Sequence, residues 1–189
     1  MLDLSIKPSK ILNDLIRSAS AAKIHYEVWW AQKNEVKPDL APVMNEHSDF
    51  FRASADAHYT ALFVNLAYLY DKRPDSSCLL TFLNESVNSI ESIHLILLRE
   101  EYEALAIRAA PLITVRHKTV AHIDAKLSEQ AVFASLDTIW KNQVREIVYD
   151  SAVFVAKLAG SNDFGTTGIP RDRRFIESTL KLINALQKK

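Results

Sequence analysis

The chain has 189 residues with 23 basic and 23 acidic side chains, so its formal net charge is zero. No whole-surface field gathers nucleic acid, and any contact with RNA has to use a local basic patch. A single cysteine, Cys78, excludes an intrachain disulfide framework and fits a reducing, cytoplasmic compartment. The first residues, Met-Leu-Asp-Leu-Ser-Ile-Lys-Pro, lack the basic-then-apolar pattern of a secretory leader, and no apolar run is long enough to span a bilayer. Only three glycines occur, none before Gly160, among abundant Ala, Leu, Lys and Glu. The expectation is an all-α antiparallel bundle over residues 1–159, of about six to seven helices by the spacing of its apolar residues, followed by a Gly-containing linker and C-terminal helix over 160–189.

Ser9 is placed to cap a first helix whose Ile11, Leu12, Leu15 and Ile16 recur at helical spacing, running to about Lys33 by the same periodicity. The Trp29-Trp30 pair reads as core and rim. Residues 34–45, with Pro38 and Pro42, form the first break. Ser48 then caps a helix carrying Phe51, Ala55, Tyr59, Leu62, Leu66 and Leu69 on one stripe, ending between Asp71 and Pro74. Ser76 or Ser77 caps a short helix through Leu79, Leu80 and Leu83, and a further helix runs from Ser89 to about Ile107. Pro111 lacks a backbone N–H and suits a first turn, so a separate helix is expected to begin near Ala109 or Ala110 and reach Asp124. Ala131 to Leu158 is expected to be the longest helix. After the glycines, Asp172 is placed to cap a terminal helix through Phe175, Ile176, Leu180, Ile183 and Leu186.

The helix after Pro111 holds the one useful conjunction of geometry and chemistry. Leu112, Ile113, Val115, Val120 and Ile123 share a face, and Arg116 falls inside it. An unpaired guanidinium there is costly, so Arg116 requires a carboxylate, a polar interface or an anionic ligand. His122 borders the same face, about 9 Å further along the helix axis. The same spacing recurs from Arg52 to His58, but without a polar residue after the arginine and without matching flanks.

Arg116-His117-x4-His122, followed by Ile123-Asp124, resembles the Arg-polar-x4-His motif of the HEPN superfamily, and within it the abortive-infection U branch. Leu66-Ala67-Tyr68-Leu69-Tyr70-Asp71, a turn, and Leu79-Leu80-Thr81-Phe82-Leu83 are similar to that branch's helix ending in Asp, loop and second short helix. The resemblance covers residues from about Asp49 to Asp124. It implies a helical homodimer in the cytoplasm that cleaves RNA without metal, in a toxin–antitoxin or phage-defence setting, with an antitoxin as possible restraining partner. Two copies of His122 and Arg116 would meet in one cleft, with His117 in the family's polar position and Lys118 and Thr119 flanking. Asp124 stands where some HEPN toxins carry a tyrosine, so regulation by modification of that tyrosine is not expected.

The competing reading is a catalytically silent module of the same fold that binds a protein partner or a nucleotide. An intramolecular pair between Arg116 and one of Glu91, Glu100, Glu101 or Glu103 would favour it. Glu91-x-x-His94 has the spacing of a di-iron ligand pair, but no second copy exists, so no metal or other cofactor is called for. The glycine loop followed by Arg171, Arg173 and Arg174 lacks the Gly-Lys-Ser/Thr of a phosphate loop. Those arginines are candidates for contacts to the RNA backbone.

Overall fold

The computed structural model describes residues 6–115, 140–160, 167, 169–170 and 172–187. Among them are seven α-helices and no strand. Helix α1 (Ile6–Trp30) buries Ile11, Leu15, Ala19, Ala22 and Tyr26 along one side. It starts ahead of Ser9, with Pro8 in the first turn, where a missing N–H costs nothing. A π-helical turn (Ala31–Glu35) prolongs it. Pro38 and Pro42 each sit at the start of a short element, a 3-10 turn (Pro38–Leu40) and α2 (Ala41–Glu46), within the break expected between the two long helices. Helix α3 (Ser48–Leu69) includes Ser48, so the N-cap position falls to His47, which makes no side-chain cap bond. The expected stripe is its buried side, from Phe51 to Leu69.

Helix α4 (Leu79–Glu85) is capped by Cys78 and not by Ser76 or Ser77. The thiol accepts from the Thr81 amide at 3.4 Å while the whole residue is buried, combining a cap with the packing of a small hydrophobe. Ser76 instead donates to the Arg73 carbonyl in the preceding turn. Helix α6 (Trp140–Leu158) and helix α7 (Arg174–Gln187) complete the bundle. The rest of the long helix expected from Ala131 lies outside the described residues.

Helix α5 (Ser92–Val115) corrects the expected boundary at Pro111, which lies inside it. The buried row Leu95, Tyr102, Leu105, Ala109 and Leu112 keeps helical spacing on both sides of the proline, and Pro111 itself is on the exposed side. An interior proline costs about 3 kcal/mol, whereas burying one Leu is worth about 1.5–3 kcal/mol, so a continuous buried row outweighs the local preference. The proline also leaves the Ile107 carbonyl without its amide donor four residues on. Pro111→Ala is therefore expected to raise stability by about 1–3 kcal/mol, read as a higher urea midpoint at constant m-value.

Helix α1 is the axis of the packing, set mainly against α3 and α6, with α5 lying against α6, α3 and α4. The core they share includes Leu15, Leu62, Leu66, Leu79, Phe82, Val148 and Phe154. The Tyr26 ring stacks on Trp30 at 5.7 Å and meets Tyr149 of α6 edge-on, while Trp29 tilts against Tyr59 of α3. The tryptophan pair is thus partly buried core and rim, as expected. A satellite cluster of Leu40, Phe51 and Ile183 fastens α7 beside α3.

Candidate functional site

Of the side chains expected to form the site, Arg116, His117, Lys118, Thr119, His122 and Arg171 lie outside the described residues. Arg173 and Arg174 are described, at the start of α7. Arg173 pairs with Glu35, which also accepts from the Trp30 indole at 2.9 Å, and the Arg174 guanidinium lies 5.1 Å from the Phe175 ring centroid. Two of the carboxylates considered as partners for Arg116 are engaged elsewhere: Glu101 with Lys157, and Glu91 with His94 at 3.2 Å. That His94 pair is exposed, and among the described residues no three His, Cys, Asp or Glu gather as metal ligands.

What the described helices do build is a groove of about 1190 Å³ that runs along α5 as far as Ile113. One wall is α5, with Glu103, Ala106, Ile107, Ala110 and Ile113 following one another at helical spacing. The other wall is the end of α3 and the turn after it, with Tyr68, Asp71, Lys72 and Arg73. Asp71 accepts from the Arg73 amide at 3.0 Å, and from Nε and Nη2 of the same guanidinium at 2.9 and 2.8 Å. Those bonds hold the Asp71 carboxyl below its usual range and fix Arg73 at the mouth. Beneath the groove, the buried Tyr70 hydroxyl donates to Ser151 at 2.6 Å, and Ser151 in turn donates to the Ile147 carbonyl. Burial pushes the Tyr70 hydroxyl up to about 12, which makes it a structural donor and not an acid–base group near neutrality.

Two charged or titratable pairs escaped the sequence reading. Lys23 and Glu27, one turn apart on α1, are both buried and paired. Glu27 also accepts from the Tyr149 hydroxyl at 3.1 Å and the Phe175 amide at 3.3 Å, while Lys23 donates to the Asp172 carbonyl at 3.1 Å. Opposite charges four residues apart beside an apolar stripe were the available signal, but on most helices that spacing marks a solvated pair.

The other pair is His25 and His58, whose Nδ1 atoms are 2.8 Å apart, so one ring donates and the other accepts. Burial lowers both His pKa values, and the neighbouring His58 adds to the effect on His25. Because the folded values lie below the unfolded 6.5, the unfolded chain takes up these protons first on acidification. The contribution to stability is complete above pH 6.5 and is lost as pH falls through the lower folded values. His58→Gln should flatten the decline of the denaturation midpoint between pH 7 and pH 5, a range chosen to bracket the ordinary histidine value. An unchanged slope would dismiss the pair as its source.

A model of the HEPN AbiU2 family, described as AbiU2, matches residues 9–148. The chain belongs to the AbiU2 family of HEPN domains. The matched part of this AbiU2 protein takes in α1 to α5, the groove, the histidine pair and the segment holding Arg116 and His122, and it ends within α6. Arg173 and Arg174 lie beyond it. No curated protein and no solved structure gives a significant match. Among the described residues of this AbiU2 chain, no helix is long and apolar enough to cross a membrane.

Proposed function

We propose that this AbiU2 protein is a metal-independent endoribonuclease of a toxin or phage-defence system, acting in the cytoplasm as a homodimer. The observation that supports the reading is the family match over residues 9–148, a span that contains Arg116-His117-x4-His122, together with the groove along α5, the helix that ends at Val115 just before Arg116 in the sequence.

Cleavage without metal requires removal of the ribose 2′-OH proton, stabilisation of charge on the five-coordinate phosphorus, and protonation of the departing 5′-oxygen. A histidine with an ordinary pKa near 6.5 holds either protonation state at neutrality, and an arginine stays cationic and clamps phosphate oxygens in pairs. One histidine cannot be acid and base at once. A two-fold axis that brings two His122 side chains to one phosphate supplies both, with Arg116 of each copy on the non-bridging oxygens and His117 orienting them. Lys118, Thr119, Arg171, Arg173 and Arg174 are proposed to hold the flanking strand, Arg173 after exchanging Glu35 for phosphate.

The test is induction of the wild type beside His122→Ala and Arg116→Ala, with growth, total RNA and folded dimer content measured together. Growth arrest and RNA cleavage that persist in EDTA, yield 2′,3′-cyclic phosphate ends and vanish in both folded variants support the reading. Intact RNA and normal growth with folded wild type, in cells lacking any antitoxin, would hand the lead to a silent partner-binding module.

A further inference from the structure

The groove between α3 and α5 has a composition that the cleavage chemistry does not use. Its floor is apolar, from Ala67, Leu80, Ala106 and Ile113, which suits a flat ring and not a solvated chain. At its rim stands Tyr68, 48% exposed on the last turn of α3, a large aromatic face left open to solvent. Lys72 and Arg73 follow in the turn and place cationic groups at one end. Arg73 is already oriented by Asp71. Glu103 is the single carboxylate on the α5 wall, which otherwise consists of Tyr102 with alanines and isoleucines.

We propose that this groove seats one nucleotide of the RNA strand, with the base stacked on Tyr68, its phosphate held by Lys72 and Arg73, and Glu103 selecting guanine. This rests on the ribonuclease reading above and adds a binding subsite to it. A carboxylate has only acceptors, and guanine alone among the four RNA bases presents two adjacent donors, N1–H and N2–H, on its Watson–Crick edge. Adenine, cytosine and uracil offer one donor there, beside an acceptor that a carboxylate repels. The cations sit in the turn after α3 and the carboxylate on α5, the facing wall, so phosphate and base edge have separate partners. The groove continues along α5 to Ile113, three residues before Arg116 in the sequence. The occupant is a single strand, since a base within a duplex cannot turn its pairing edge to Glu103.

The experiment uses the full chain and fluorescein-labelled 2′-O-methyl oligouridines, which cannot be cleaved by 2′-OH attack, with and without one central guanosine. Binding is read by fluorescence anisotropy. The wild type should prefer the guanosine-containing strand. Tyr68→Ala should weaken that binding about tenfold or more. Glu103→Gln should erase the preference for guanosine while still binding oligouridine. Lys72→Gln should reduce the slope of log K against log salt by about 0.7. Tyr68, Lys72 and Glu103 are all exposed, so the variants are expected to fold, which circular dichroism checks.

Binding unchanged in Tyr68→Ala and Glu103→Gln overturns the subsite, as does the absence of any binding by folded wild type. Cleavage of unmodified RNA is scored in parallel. Cleavage that ignores the groove variants leaves the nuclease standing and removes the subsite. Groove-dependent, guanosine-selective binding by a protein that never cuts keeps the subsite and removes the nuclease.

Discussion

Glu27→Ala is expected to lower stability by about 3–5 kcal/mol, the usual result of deleting one member of a buried ion pair. Lys23 is 1% exposed and Glu27 is fully buried, so no water reaches the ammonium left behind. Among the described residues its other polar and ring contacts are the Asp172 carbonyl and the Tyr149 ring, 4.7 Å away, neither of which carries a full negative charge. The deletion also strips an acceptor from the Tyr149 hydroxyl and the Phe175 amide. Much of the loss therefore belongs to uncompensated desolvation, and only part to the attraction itself. Removing the charge from both residues tests that division. Lys23→Met with Glu27→Gln keeps an amide oxygen to accept from Tyr149 and leaves no buried charge, so it should recover most of the loss. Urea denaturation of the two variants beside wild type decides the matter. A double variant as unstable as Glu27→Ala would mean that the attraction between the charges, not the desolvation of the survivor, dominates.

His122→Ala is expected to reduce RNA cleavage by about 10²–10⁴-fold, the range for removal of a general acid or base. Arg116→Ala should cost a comparable factor through lost stabilisation of the phosphorane charge. Mixed dimers carry more information than either variant alone. If a single cleft needs both His122 side chains, random pairing of equal amounts of wild type and His122→Ala leaves about one quarter of the activity of the same total of wild type. If each protomer cuts by itself, about one half remains. A value near one half would sink the shared cleft while leaving a monomeric nuclease possible.

The helices were legible wherever burial and periodicity agree. In α1 the start of the row at Ile11 and Leu15, and in α3 the stripe from Phe51 to Leu69, could be read directly, because apolar residues recur there at helical spacing, whereas the buried side of α1 goes on through Ala19, Ala22 and Tyr26 with the charged Lys23 and Glu27 among them. The boundaries failed where a local signal and the packed row disagree. Pro111 carries a strong preference for a first turn, yet the row through Leu105, Ala109 and Leu112 requires one continuous helix. Cys78 caps α4 while Ser76 is spent on the preceding turn, which no propensity scale weighs.

The site was legible unevenly. Asp71 drew notice as the end of an apolar helix, but its grip on Arg73 depends on the turn after α3, and the groove depends on α5 crossing that turn. Neither follows from spacing within one helix. The His25 and His58 contact joins residues on two helices, and nothing in either stretch alone points to the other.

The aromatic junction of α1 gives the protein an optical reporter of its own. Trp30 stacks on Tyr26, Tyr26 meets Tyr149, and the Tyr149 hydroxyl donates to Glu27, so an indole chromophore lies two ring contacts from the buried charge pair. The near-ultraviolet dichroism and emission maximum of the native chain will therefore sense the state of Lys23 and Glu27 without an added dye. Loosening of that junction should register as a red shift in emission before the helical signal falls.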